Sequence, residues 1–237
     1  MRLREPRAIA SLFPRGVICA ETLGDEPVAA PLYPDEAMRV ARAVPRRRRE
    51  FARGRDCARR ALAELGVAPG AIPVGPCREP IWPSGFVGSI THTDDYCAAV
   101  VGPGATFAAL GVDAECNEPL PGGVLERVAG IRERGAIAVL PGTCVSWDRL
   151  LFSAKESVLK CLYALTETWI DFQDAEVVIT PDPATLERGT FEARISTACS
   201  RAPRPGIAFL CGAYVAADGL IVTGVAAPCS PSGPALM

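Results

Sequence analysis

The chain has 237 residues, 49% of them hydrophobic and 22% charged, with a formal net charge of −2, which is apolar material enough for one large domain or two small ones. No run of eighteen apolar residues occurs, and the opening MRLREPRAIASLFPRG carries charges and prolines where a secretory signal needs unbroken apolar residues. Neither a membrane span nor a leader is therefore expected, and the cytoplasm is the expected compartment.

A single histidine, His92, excludes a histidine-rich metal site, and the ten cysteines include no CxxC pair. They read as small buried hydrophobes in a reducing compartment rather than as a zinc cage or a redox centre. Fourteen of the twenty-three arginines fall in residues 1–60, which makes that part a candidate anion-binding face. Lysine is the reverse case, with only Lys155 and Lys160 in the whole chain. Two survivors so close together invite a chemical reason, such as the compact ammonium that arginine lacks.

In chain order, the stretch IASLFPRGVICA can supply a first strand. Pro34 followed by Asp35 and Glu36 marks a helix start, and Pro45 is expected to break or kink that helix. From Arg46 helical periodicity resumes, with Phe51, Cys57 or Ala58, Ala61, Leu62 and Leu65 as an apolar stripe and Gly66 as the stop. Residues 68–88 are loop, and short apolar runs at 87–90, 96–101 and 108–112 predict strands. After a glycine-proline loop at 119–123 comes a helix near 124–131, then a long helix at 147–165 with apolar residues at helical spacing. Strands are expected at 176–180, 191–195, 207–215 and 220–225, and the last residues, PCSPSGPALM, as a disordered tail. The order implies an α+β chain in two halves of similar size, 1–105 and 106–227, with the tail at 228–237.

The chemistry-bearing residues fall in four places. Asp113 and Glu115 end an apolar run two residues apart, so in a strand they face one side and can converge on a cation. Magnesium suits such a pair, because it takes a few carboxylate oxygens and completes its shell with water and phosphate. Glu156 offers a third carboxylate, with Lys160 one helical turn on, although such a pair is also common on exposed helices. Arg48 and Arg55 lie nearly on one helix face beside Arg47, and GSITHT at 88–93 brings Ser89, Thr91 and His92 together, a second phosphate-binding possibility. A metal-dependent phosphatase or nuclease would use the same carboxylates. A nucleic-acid binder would use RRRREFARGR, though the isoelectric point near 5.6 argues against one.

The ordered set resembles the phosphopantetheinyl transferases of the surfactin-synthetase and enterobactin type. It comprises the arginine-rich helix, REPIWPSG at 78–85, GSITH at 88–92, GVDAE at 111–115 and FSAKESVLK at 152–160, with WIDF at 169–172 behind them. The resemblance implies two pseudo-symmetric halves with the active site between them, and transfer of the phosphopantetheine arm of coenzyme A to a serine of an apo acyl or peptidyl carrier protein, releasing 3′,5′-ADP. It implies magnesium on Asp113, Glu115 and Glu156, with Glu156 also the base. Lys155 and Lys160 would lie on the pyrophosphate, and Arg47, Arg48, Arg55 and His92 on the 3′-phosphate and adenine end, near Ser89 and Thr91. A monomer with no nucleic-acid or membrane partner is implied. One departure is Val74, where relatives often carry a basic residue before the loop glycine; the expectation is either a weaker phosphate grip or replacement of that contact by Arg78.

Overall fold

The computed structural model describes residues 8–24, 28–93, 95–142, 145–196 and 208–229. The expected tail lies outside these residues but for Pro228 and Cys229. A short 3-10 turn at Ala8–Leu12 leads into β1 (Ile18–Leu23). Pro34 opens α1 (Pro34–Val40) and Pro45 opens α2 (Pro45–Glu64), each at a position whose missing N–H costs nothing. Pro45 thus starts a second helix rather than bending the first. The hairpin β2 (Phe86–Thr93) and β3 (Tyr96–Pro103) follows, with β1 on the other edge of β3, so the first sheet has the order β1-β3-β2.

The second half begins with β4 (Phe107–Cys116) and continues through α3 (Leu125–Val128) and α4 (Ile131–Ala138) to α5 (Trp147–Thr166). It ends in a meander of β5 (Ala175–Pro181), β6 (Arg188–Ile195), β7 (Phe209–Ala217) and β8 (Leu220–Pro228), giving the antiparallel order β4-β8-β7-β6-β5. The α+β reading in two halves holds. The helix expected near 124–131 is only the short α3, and a further helix, α4, begins where it was expected to end, because Gly130 takes extended backbone at the start of α4 and its N–H is bound by the Glu133 carboxylate.

Each half packs one long helix on its sheet. Cys57, Ala58, Ala61 and Leu62 of α2 meet Cys97, Ala99 and Val101 of β3, while Leu151, Ala154, Val158 and Leu162 of α5 meet Ala109, Phe191 and Val225. The opposite faces of β3 and β4, with Tyr96, Ala98 and Val100 on one and Leu110, Val112 and Ala114 on the other, share a core with Ile9, Leu12 and Phe13. Strand alternation thus gives both sheets two buried faces there and joins the halves. Cys57, Cys97 and Cys161 are buried as expected, whereas Cys77 and Cys211 are exposed; all the described cysteines are free.

Among the described glycines the closest approach to another backbone atom is at Gly111, where a Cβ would lie 2.0 Å from the Ser157 carbonyl oxygen of α5. Nothing but glycine lets β4 lie this close to the helix. Gly111→Ala should therefore cost about 1–3 kcal/mol in urea unfolding. Gly135→Ala, in α4 with open space around it, should be neutral or stabilising. Equal stabilities of the two variants would show that the close approach is not needed.

Candidate active site

The seam between the halves is made by β2 and β4. Their backbones form no ladder with each other; instead Ser89 Oγ accepts the Val112 N–H at 3.1 Å and Thr91 Oγ1 accepts the Ala114 N–H at 3.0 Å. Thr91 then donates to Asp113 Oδ1 at 3.3 Å. These two hydroxyls, expected beside a phosphate, are spent chiefly on splicing the halves.

The seam delivers Asp113 to α5. Only 5% exposed, its carboxylate accepts Lys160 Nζ on Oδ1 at 2.7 Å and Ser153 Oγ on Oδ2 at 2.9 Å, while Lys160 also donates to the Val112 carbonyl at 3.1 Å. Two residues along β4, Glu115 Oε2 takes Arg149 Nη1 at 2.8 Å. Arg149, Ser153, Glu156 and Lys160 follow one another by four, three and four residues, one stripe of the α-helix. The carboxylates of Asp113, Glu115 and Glu156 feel one another there. Burial raises Glu156 above its ordinary value, with Lys160 opposing and Asp113 and Glu115 reinforcing. Burial and the Asp113 charge likewise raise Glu115, against Arg149.

As placed, the carboxylates do not close on a cation, and among the described residues no three acidic, histidine or cysteine side chains form a metal-holding group. The chemistry of the donors nonetheless suits a small hard cation. Glu115 and Glu156, whose negative charge is disfavoured by burial and by neighbouring carboxylates, would gain from a divalent ion beside Asp113, and Lys160 and Arg149 supply only part of that balance.

Arg47 Nη1 lies 2.6 Å from His92 Nε2, and Glu50 reaches Arg46 at 2.9 Å, Arg47 at 3.4 Å and His92 Nδ1 at 3.8 Å. Burial and the Arg47 charge push the His92 pKa down, with Glu50 opposing, so the ring is neutral at pH 7. Arg48 is not part of this group; its Nε donates to the Ala43 carbonyl. Nor is Arg55 a free cation. It is buried, gives its Nε to the Ile72 carbonyl at 2.9 Å, stacks over Phe51 and lies 3.9 Å from Glu36, and burial lowers its pKa to about 10.

Lys155 requires a correction. Its side chain is 0% exposed, and its ammonium donates to the Val128 and Phe172 carbonyls at 2.7 and 2.9 Å and to both Glu133 oxygens at 2.8 Å. Five residues at 100° each place it about 140° around α5 from Lys160, so it faces inward and its three protons are used. A pyrophosphate contact is incompatible with that position.

Between the halves runs a cleft of about 610 Å³, walled by Arg78, Glu79 and Trp82 of the proline-rich loop, Ser89 of β2, and Lys160, Tyr163 and Trp169. Arg78 stands at the tip of a tight turn with φ +72°, while Val74 is tied to Pro80 by a bridge. Arg78 thus stands on the cleft wall, close in sequence to Val74.

Residues 35–102 match the family model of the 4′-phosphopantetheinyl transferase N-terminal domain and residues 109–213 that of the 4′-phosphopantetheinyl transferase superfamily. The 4′-phosphopantetheinyl transferase Svp of Streptomyces mobaraensis is 43% identical over 96% of this chain and 92% of its own. The chain belongs to this family. The 4′-phosphopantetheinyl transferase PptT of Mycobacterium tuberculosis is 39% identical over 92% of this chain and 96% of its own, and enterobactin synthase component D of Salmonella typhi is 33% identical over about half of each.

The sequence reading missed Ser153, Arg149, Glu50 and Glu133. The first two were available as the 149-153-156-160 stripe of a helix already predicted. Glu50 and Glu133 carry no local signal, since their partners lie 42 residues away at His92 and 22 away at Lys155. For Lys155, replacement by Met should cost about 3–5 kcal/mol in urea unfolding by leaving Glu133 buried and unpaired. A second change, Glu133→Gln, should recover part of that loss; a cost below about 1 kcal/mol for Lys155→Met would refute the buried pair.

Proposed function

We propose that this phosphopantetheinyl transferase takes coenzyme A into the cleft between its halves, 1–105 and 106–227, and moves the phosphopantetheine arm to a serine of an apo acyl or peptidyl carrier protein, working as a monomer in the cytoplasm. The observation that carries the reading is the meeting of Asp113, Glu115 and Glu156 around Lys160, whose side chain also lines the cleft. No helix among the described residues is long and apolar enough to cross a membrane.

Arg47 and His92, with Arg78 at the cleft mouth, would receive the 3′-phosphate and adenine end of coenzyme A; Arg48 could join them only by leaving the Ala43 carbonyl. Lys160 would give its protons to the pyrophosphate, moving from Asp113 as it does so. Asp113, Glu115 and Glu156 would hold magnesium, which when bound supplies positive charge against the pyrophosphate. The carrier serine oxygen attacks the phosphorus that bears the pantetheine arm, its proton passes to Glu156 directly or through a water, and the bond to 3′,5′-ADP breaks. The protein contributes chiefly position and charge to such a transfer.

The deciding measurement is the intact mass of an apo carrier protein incubated with this chain, coenzyme A and magnesium, which should rise by one phosphopantetheine. Glu156→Gln should lose turnover by about 10²–10⁴-fold while coenzyme A binding, followed by calorimetry, changes little. Lys160→Arg should be impaired, because a planar fork does not replace an ammonium between Asp113 and a phosphate. Wild-type rates for both variants would remove the helix stripe from the reaction and leave Lys160 a structural partner of Asp113.

A further inference from the structure

The chemistry of the His92 contacts leads to a second event at the site. A guanidinium only donates hydrogen bonds, so the Arg47 contact at 2.6 Å requires a lone pair on Nε2 and places the ring proton on Nδ1, the edge 3.8 Å from Glu50. A phosphate oxygen makes the opposite demand, because it only accepts and needs a proton on Nε2. The neutral ring could meet that demand by moving its proton from Nδ1 to Nε2. That tautomer would aim the bare Nδ1 lone pair at the Glu50 carboxylate, and like faces like.

We infer that Glu50 is a positioning residue that makes anion capture at this grip draw one proton onto His92. When phosphate displaces Arg47 from Nε2, the ring takes a proton from solvent. Its Nε2–H then serves the phosphate and its Nδ1–H faces Glu50. The inference rests on the proposal that this grip receives the 3′-phosphate of coenzyme A.

Arg47 and Glu50 on α2 are in contact with the ring, and the charges of Lys160 on α5 and Asp113 on β4 also act on it, two cations against two carboxylates. An arriving phosphate tips that balance toward the imidazolium. Although burial works against it, Glu50 is held below its ordinary pKa by Arg46, His92 and Arg47, so it keeps its charge through the neutral range. With 38% of the His92 side chain exposed, a ligand has access to it. A group that binds its proton more tightly with ligand than without makes affinity fall as pH rises from the free-state to the bound-state pKa.

Because His92 is the only histidine in the chain, a long-range proton–nitrogen NMR spectrum of the whole labelled protein shows one imidazole and needs no assignment. The ring would be titrated free, with 3′,5′-ADP, and with 5′-ADP, in wild type and in Glu50→Gln, which keeps an acceptor for Arg46 and Arg47. The free ring should be the Nδ1–H tautomer. With 3′,5′-ADP its apparent pKa should rise by about one unit, equivalent to about tenfold tighter ligand binding by the protonated form; with 5′-ADP it should move far less. Glu50→Gln should lose most of that rise and most of the preference for 3′,5′-ADP over 5′-ADP, and Glu50→Asp should restore part of both. A ring that stays neutral under saturating 3′,5′-ADP, or an equal rise in Glu50→Gln, overturns the inference while leaving the 3′-phosphate grip in place. Equal wild-type affinity for 3′,5′-ADP and 5′-ADP removes the grip itself, and the inference with it.

Discussion

Two side-chain hydroxyls hold the halves of this enzyme in register. Ser89 and Thr91 accept the N–H groups of Val112 and Ala114 where two sheet edges meet without a backbone ladder. An edge strand whose amides go unpaired is costly when buried, and a ladder across the seam would have merged the sheets into one. Hydroxyl acceptors satisfy the β4 amides while keeping the sheets separate, so a cleft remains beside the seam. The face of β4 that carries Gly111, Asp113 and Glu115 is then aimed at α5, and the bare Cα of Gly111 lets the helix come near enough for Ser153 and Lys160 to reach Asp113.

Charge at the seam is arranged around Asp113. Thr91, Ser153 and Lys160 donate to it from β2 and α5, and Ser153 is itself tied to Thr223 of β8, at 3.0 Å between hydroxyl oxygens. The carboxylate is thereby fixed from both halves. Glu156 is held less tightly in charge, since burial and its neighbours raise its pKa and only Lys160 opposes them. A rigid acid beside one whose protonation responds to its surroundings is an arrangement suited to binding a cation on the first and handling a proton on the second.

Much of this was legible in the sequence where the signal is local. Pro34 marked the first helix, short apolar runs marked the strands, and the i, i+2 spacing of Asp113 and Glu115 placed them on one face. Signals that depend on a partner far along the chain were misread. Arg55 shares a helix face with Arg48, yet its environment is set by Ile72 and Glu36, so a supposed ligand cation is a buried strut. Ser89 and Thr91 look like phosphate ligands because a hydroxyl has no periodicity that says which backbone it will meet. The division of 124–138 at Gly130 was hidden for another reason. The glycine reads as flexible until Glu133 is seen to bind its N–H, Lys155 and the Val177 N–H at once.

The scarcity of lysine was a real signal that merged two roles. Arginine replaces a surface lysine at little cost, but neither Lys155 nor Lys160 is on an indifferent surface. Lys155 meets its acceptors, two carbonyls and a carboxylate, around a single nitrogen, a convergence that a planar guanidinium does not match. Lys160 holds a carboxylate and a carbonyl together in the same way. Composition selects both residues, and only helical phase separates them. Phase also couples them. By gripping Val128, Glu133 and Phe172, Lys155 sets the roll of α5 about its own axis, and a helix whose roll is set from its buried side has the direction of Glu156 and Lys160 set on the other. The buried lysine is therefore tied to Glu156 and Lys160 through the helix they share, from the side turned away from them.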